Sequence, residues 1–254
     1  MHDSSFRPCV LIPVYNHHQV LGQALARIAA MGLPVILVDD GSEAGSHTVL
    51  QELVASYSNV RMVTHPANRG KGGAIKTGLR TAQQLGFSHA LQVDADGQHN
   101  IDDIPRFLAL ASAAPATLVA GKPVYNESVP KIRFYCRYLT HVLVWLNTLS
   151  LQVEDSMCGF RVYPVGPACQ LLEAESMGER MDFDTEFMVR WYWRGWPLVQ
   201  VGTRVIYPEN GISHFLMWRD NALITWMHIR LFAGMLWRWP WLLGRKFKPA
   251  VKAH

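Results

Sequence analysis

Asp94 and Asp96 stand one residue apart where the apolar run Leu91-Gln92-Val93 ends, and Gly97, Gln98 and His99 follow. If strand alternation continues through them, both carboxylates leave on the same side. Two carboxylates converging at a strand end make poor core but a good hard-cation site. Mg²⁺ in particular is commonly held by one or two carboxylates plus the phosphates of a substrate. A D-x-D on a polar turn also arises by chance, so the pair carries little weight alone. Two more polar clusters follow apolar runs: Pro13-Val14-Tyr15-Asn16 and Asp39-Asp40-Gly41-Ser42. A fourth segment, Asn68-Arg69-Gly70-Lys71-Gly72-Gly73, suits phosphate. Its glycines allow close backbone approach and a helix N-terminus after it favours an anion, the competing reading being a flexible basic turn.

The elements that must position these residues read as alternating strands and helices over 9–120. Cys9-Val10-Leu11-Ile12, Val35-Ile36-Leu37-Val38, Val60 to Thr64 and His89 to Val93 are apolar runs of strand length. Val20, Leu21, Ala24, Leu25 and Ile28 recur at helical spacing, as do Val49, Leu50, Leu53, Val54 and Tyr57, then Ile75, Leu79, Ala82 and Leu85. That alternation predicts βαβ units and an α/β fold with a mostly parallel sheet covered on both faces. Such sheets bind ligands in the crevice at the carboxyl ends of their strands, which is where the polar clusters fall. The Gly-x-Gly-x-x-Gly turn of dinucleotide folds and the Walker lysine motif are both missing, so phosphate affinity falls to the Asn68–Gly73 segment.

Composition narrows the class. With 254 residues, nearly half of them apolar, the chain has a sizeable core in one domain or slightly more. A net charge of +4, without basic-aromatic clustering in the front half, gives no reason to expect nucleic acid. Cys9, Cys136, Cys158 and Cys169 lack metal-ligand or disulfide spacing, and Met1 to Pro8 lacks an export signal, so a cytoplasmic location is expected.

The ordered set Ile12-Pro13-Val14-Tyr15-Asn16, Val38-Asp39-Asp40-Gly41-Ser42, Asn68-Arg69-Gly70-Lys71-Gly72 and Val93 to His99 resembles the family-2 glycosyltransferases. Within them it is most similar to the dolichol-phosphate mannosyltransferase branch and its bacterial polyprenyl-phosphate relatives. The resemblance is dense to about residue 125 and thinner through Asp155 to Arg161 and Phe183 to Glu186. It implies a GT-A fold, a nucleotide-diphosphate sugar donor, a divalent cation (Mg²⁺ or Mn²⁺) and inversion at the anomeric carbon. It also implies that Pro13, Tyr15, Asn16 and Asp40 line the nucleoside pocket and that Lys71 sits near the base or diphosphate. Asp94, Asp96 and Gln98 would then hold the metal and the sugar-nucleotide. A metal bridging the diphosphate would offset the charge that builds on the leaving group. A sugar nucleotidyltransferase, which would want a Gly-rich Arg-containing loop after the first strand, is disfavoured. A non-catalytic nucleotide-sugar-binding protein is a further alternative, against which the intact acids argue.

Asp155 falls where the family places an acid near the acceptor. There it would be a general base for a hydroxyl nucleophile, an orienting group beside a phosphate, or simply a turn acid. Asp184 and Glu186 are explained equally by the preference of helix N-termini for acids. Of the two, Glu186 better matches the family's acid and is the third candidate catalytic residue with Asp96 and Asp155. The polyprenyl-phosphate branch usually carries Gly-Glu-Ser-Lys late in the chain; here the stretch is Gly211-Ile212-Ser213-His214. A titratable His214 in place of a permanent cation leaves open whether the acceptor is a lipid phosphate or a hydroxyl, and His214 could instead contact the donor diphosphate.

The chain divides into a catalytic region, 1–215, and a Trp-rich basic helical region, 216–254. Of nine tryptophans only Trp145 precedes residue 190. In the predicted helix from Pro130 to Asn147, Arg133, Arg137 and His141 form a basic stripe, which suits either an anionic surface or a solvated face. The runs Asn221 to Ile229 and Leu231 to Trp237 are cut by Arg230 and Arg238, and neither reaches the roughly 20 residues of a spanning helix. Trp237, Trp239 and Trp241 followed by Arg245, Lys246 and Lys248 read as interfacial anchoring on the inner face of the cytoplasmic membrane, or as packing on protein. Basic residues near an anionic leaflet contribute about 1 kcal/mol each.

Overall fold

The computed structural model describes residues 6–124, 131–205 and 216–246, with the side chains of 18–19, 131–136 and 246 left aside. Pro130, Ser213, His214, Lys248 and the side chains of Arg133 and Cys136 therefore lie outside the described residues.

The front half follows the apolar runs. β1 (Pro8–Val14), α1 (His18–Ala30), β2 (Val35–Asp39), α2 (Ala44–Ala55), β3 (Val60–Thr64), α3 (Lys71–Gln84) and β4 (His89–Gln92) alternate as expected. They are followed by α4 (Ile104–Ala113), β5 (Leu118–Val124), α5 (Lys131–Thr148), β6 (Arg161–Pro164), α6 (Val165–Ala174), α7 (Phe183–Trp193), β7 (Leu198–Arg204) and α8 (Met217–Lys246). The strands form one sheet in the order β3-β2-β1-β4-β6-β5-β7. It is mostly parallel; β6 alone runs antiparallel, against both β4 and β5. Because β1 lies between β2 and β4, with Val14 opposite Asp39 and Leu11 opposite Gln92, three chain exits open side by side at one edge.

Strand alternation sends β1 into both layers. Cys9 and Leu11 join α3, α6 and α7 residues on one face, and Val10, Ile12 and Val14 join α1 and α4 residues on the other. Each such aliphatic side chain contributes about 1.5–3 kcal/mol by leaving water, so this strand is held from two sides.

Residues 217–246 form one 30-residue helix that continues through the arginines separating its apolar runs. Asp220, Met227, His228, Leu231, Met235 and Leu242 form its buried stripe at helical spacing, and its apolar members join the same core as α3 and α7. Arg230 reaches Glu186, and Arg238 stacks over Trp193 with its guanidinium carbon 4.7 Å from the ring centre, so neither arginine interrupts the helix. No helix among the described residues is long and apolar enough to cross a membrane.

His228 makes this packing acid-sensitive. Its Nδ1 lies 3.2 Å from Asn147 Nδ2 of α5, and burial pushes the imidazole pKa down to about 4. The unfolded chain takes up this proton near pH 6.5 and the folded chain does not, so folding stability falls as pH drops from 6.5 towards 4. A chemical-denaturation series at stepped pH should show a loss of about 2–3 kcal/mol over that window from this group. His228→Asn should flatten the slope.

Candidate active site

The three strand exits enclose a cavity of about 630 Å³, within the range typical of small-molecule sites. Its lining includes Pro13, Tyr15, Asp40, Lys71, Asp94 and Asp96, all singled out from the sequence. Asn68, Arg180, Arg219 and Asp220 line it too, and the sequence motifs did not point to the last three.

Asp94 and Asp96 share this cavity for a different reason from strand alternation. β4 stops at Gln92, and the two acids sit on the turn that follows. Gly97 takes a left-handed φ of 72°, and Asp96 Oδ1 accepts from the Gln98 amide at 3.0 Å. Gln98 thus supports the turn through its backbone and is not among the lining residues. Among the described residues nothing donates to the second oxygen of Asp96.

Asp94, by contrast, is fully engaged. Its Oδ1 accepts from Gln92 Nε2 at 2.9 Å, and Tyr163 Oη fixes that amide by donating to Gln92 Oε1 at 2.8 Å. Its Oδ2 accepts from Lys71 Nζ at 2.8 Å and from His99 Nε2 at 3.1 Å. Burial alone would raise the Asp94 pKa, but Lys71 and the His99 hydrogen bond outweigh it and hold the carboxyl well below the usual carboxylate range. Lys71 Nζ also lies 2.9 Å from Asp184 Oδ2. Burial opposes its charge, yet Asp184 and Asp94 together keep the ammonium protonated far above the ordinary lysine range.

Gly159 packs directly against this pair. A Cβ there would fall 2.8 Å from Asp94 Oδ1 and 2.7 Å from Gln92 Nε2, and closer still to Asp94 Oδ2. Gly159→Ala should therefore push Asp94 off Lys71 and lower kcat/KM by about 10²-fold, since small displacements in a reacting site carry penalties of that order. Initial-rate kinetics check this, and unchanged values would show that the Asp94 position does not matter.

The loop into the first turn of α3 puts Asn68, Gly70 and Lys71 on the cavity and seats Gly72 and Gly73 against protein. Its glycines approach protein backbone: a Cβ on Gly72 would meet Phe183 and the Glu179 carbonyl carbon, and Gly73 N donates to Glu179 O at 2.9 Å. Arg69 turns to Glu179 at 2.9 Å. Asp40 anchors the same loop by accepting from the Arg69 amide at 3.0 Å and the Gly70 amide at 2.7 Å. His65 Nδ1 donates to it at 2.7 Å, which leaves His65 Nε2 to accept from Thr77 Oγ1 at 2.9 Å. Asn16 has a left-handed φ of 56°, and its Oδ1 accepts from the Glu43 amide at 3.0 Å; it braces the start of α2 and is not a lining residue.

The remaining two candidate catalytic acids lie away from the lining. Asp155 is buried, and its Oδ2 takes both Nε and Nη2 of Arg137, at 2.8 and 2.5 Å. Its Oδ1 accepts from the amides of Met157 and Cys158 at 2.9 and 2.8 Å, the geometry of a turn acid. With His141 Nε2 at 3.7 Å as well, the two described members of the basic stripe of α5, Arg137 and His141, face inward on Asp155. Glu186 is fully buried in an ion network with Arg190 and Arg230 and accepts from the Gly178 amide at 2.8 Å. Asp184, ranked below Glu186 from the sequence, is the one that touches the site, through Lys71.

Comparison with known proteins agrees with this geometry. Residues 9–163 match the family model described as Glycosyl transferase family 2. A dolichyl-phosphate beta-glucosyltransferase of Trichomonas vaginalis is 30% identical over 165 residues, 61% of this chain and 49% of that protein. The human dolichyl-phosphate beta-glucosyltransferase is 29% identical over 209 residues, 70% of this chain and 61% of that one. The chain thus spans about half to three fifths of these two relatives. A UDP-N-acetylglucosamine–dolichyl-phosphate N-acetylglucosaminyltransferase of Methanococcus voltae is 25% identical over 220 residues, 80% of this chain and 87% of that one. Among solved structures, S. aureus TarS in complex with UDP-GlcNAc superimposes with a TM-score of 0.58 at 14% identity, over 91% of this chain and 71% of that one. A Pyrobaculum calidifontis mannosyltransferase in complex with GDP-Man and Mn²⁺ gives 0.55 at 18% identity, over 82% and 60%. These two likenesses establish the shared GT-A fold. Since the matched model covers well over half of its length, the chain belongs to glycosyl transferase family 2.

Proposed function

We propose that this protein transfers a hexose, with inversion, from a UDP- or GDP-sugar to a polyprenyl-type lipid phosphate at the cytoplasmic face of a membrane, using Mg²⁺ or Mn²⁺. The observation that carries the reading is the cavity that joins Asp94, Asp96 and Lys71 at the carboxyl ends of a parallel sheet. The named complexes of the structural neighbours, with UDP-GlcNAc and with GDP-Man and Mn²⁺, support the donor class.

The donor set suits a hard cation completed by phosphate oxygens. Asp96 would hold the metal with its uncommitted oxygen, and the bound ion would neutralise charge on the leaving diphosphate. Lys71, Arg180 and Arg219 add fixed positive charge to the same cavity. The acceptor class is supported by Asp155. Arg137 and two amides hold that carboxylate, leaving it poorly placed to take a proton from a hydroxyl. A phosphate nucleophile is already ionised and needs no such base. The dolichyl-phosphate relatives agree with this choice.

Membrane contact is supported by the outward face of two packed helices. Trp218, Trp226, Ile229, Leu236 and Trp237 are all exposed on α8, opposite its buried stripe. On α5 Arg137 and His141 turn inward while Tyr138, Leu139, Val142 and Leu146 are exposed. An apolar sector this long has the character of a membrane-lying helix and not of an ordinary solvated face.

The test is transfer of label from a panel of nucleotide sugars into polyprenyl phosphate in anionic vesicles, with Mg²⁺ or Mn²⁺. A mild-acid-labile lipid product supports the reading. An acid-stable glycoside would sink the phosphate acceptor, and no label from any donor would sink the enzyme. Replacing Trp218, Trp226 and Trp237 by Ser should abolish co-sedimentation with the vesicles; unchanged sedimentation would refute the helical face as anchor.

A further inference from the structure

We infer that Lys71 is an internal counter-cation that excludes the metal until a nucleoside diphosphate enters, and so sets the order of binding. The inference rests on the metal-dependent reading above and concerns when the ion binds. Asp94 and Asp96 would together make a two-carboxylate cation site, but Lys71 Nζ already bridges Asp94 Oδ2 at 2.8 Å and Asp184 Oδ2 at 2.9 Å. Gln92 and His99 occupy the rest of Asp94. Among the described residues, no three His, Cys, Asp or Glu side chains come together as a metal site. Asp96 is left to meet a bare ion with one free oxygen.

The ammonium is held in place by the fold. Lys71 is the first residue of α3, and that turn is packed on the 179–183 segment leading to Asp184. The helix N-terminus adds positive potential at the same point. At the D-x-D a divalent ion arriving alone therefore meets Asp96 as the available carboxylate among the described residues, with a fixed positive charge at close range. A diphosphate changes both conditions. Its oxygens complete the coordination that Asp96 begins, and they give Lys71 an anionic partner outside the Asp94–Asp184 pair. The same lysine that repels the bare ion thus attracts the phosphate that carries it.

Mn²⁺ binding read by electron paramagnetic resonance tests this without any turnover. The wild-type chain should bind Mn²⁺ at least about tenfold more tightly with saturating UDP or GDP than without nucleotide. Lys71→Met, or Lys71→Gln should the first variant not fold, is expected to raise the nucleotide-free affinity about tenfold, because Asp94 and Asp184 become available. Adding Asp94→Asn to either variant should return it to the wild-type value, and Lys71→Arg should keep wild-type behaviour. Equal wild-type affinity with and without nucleotide, or no gain in the Lys71 variants, overturns the inference while leaving the transfer reading intact. Failure of UDP and GDP alike to promote any Mn²⁺ binding would overturn the metal-dependent reading and this inference with it.

Discussion

Asp96→Asn is expected to lower sugar transfer by about 10³-fold or more, equivalent to roughly 4 kcal/mol of transition-state stabilisation, with little change in thermal stability. The asymmetry follows from what the carboxylate does in the fold. Among the described residues its one hydrogen bond is from the Gln98 amide at 3.0 Å, and the carbonyl oxygen of Asn can accept that bond equally well. What the amide lacks is the negative charge on the second oxygen, the one that would face the cation. Asp94→Asn should behave differently. It removes the anion that Lys71 and His99 both hold, so it should lower the melting temperature as well as the rate. Parallel melting curves and initial rates for the two variants separate the roles. Asp96→Asn activity within tenfold of wild type would sink the assignment of Asp96 as the principal metal ligand.

That distinction between neighbouring acids shows where sequence reading reached its limit. β1 to β4 were legible because strands buried on both faces are written as short apolar runs, and the polar clusters mark where those runs end. The cavity followed from the rule that parallel strands share an open carboxyl edge. Its lining was harder to read. Asp155 and Glu186 are acids in the expected motifs, yet each is matched by arginines: Arg137 for the first, and for the second Arg190 one helical turn on and Arg230 far along the chain. The i,i+4 rule reaches Arg190, but no spacing rule announces Arg137 or Arg230. Asp184 gives the converse case, since only the fold reveals that Lys71 reaches across to it.

Helical periodicity has a related limit. It groups residues onto faces without saying which face looks outward. On α5 the grouping of Arg137 and His141 was legible, but the outward direction was not, because the buried carboxylate of Asp155 draws the basic side inward. On α8, Arg230 and Arg238 looked like interruptions because their partners, Glu186 and Trp193, belong to another helix. The antiparallel β6 is four residues long and carries Arg161 fully buried, donating to the carbonyls of Ser156, Cys158 and Asp184. A buried arginine is the opposite of what a strand search looks for.

Glu186→Ala is expected to cost about 3–5 kcal/mol of folding stability, the range found when one partner of a buried ion network is removed. For a chain of this size that lowers the melting temperature by about 10 °C or more. Glu186 has no exposed surface, and all four of its hydrogen bonds are structural. Arg190 donates through Nε and Nη2 at 3.1 and 2.7 Å, the Gly178 amide at 2.8 Å, and Arg230 Nη2 at 3.1 Å. Arg190 keeps Glu175 as a second partner, but Arg230 and the Gly178 amide lose their carboxylate outright. Since Arg230 belongs to α8, part of the loss should appear as weaker docking of that helix, read by faster limited proteolysis between residues 217 and 246. Glu186→Gln, which keeps an acceptor of the same shape, should recover part of the stability. A catalytic acid would behave in the opposite way: the rate would collapse while the fold held. At a temperature where Glu186→Ala is fully folded, its kcat/KM should stay within a few-fold of wild type. A variant that melts normally yet loses transfer by orders of magnitude would place Glu186 among the catalytic residues and make its ion network secondary.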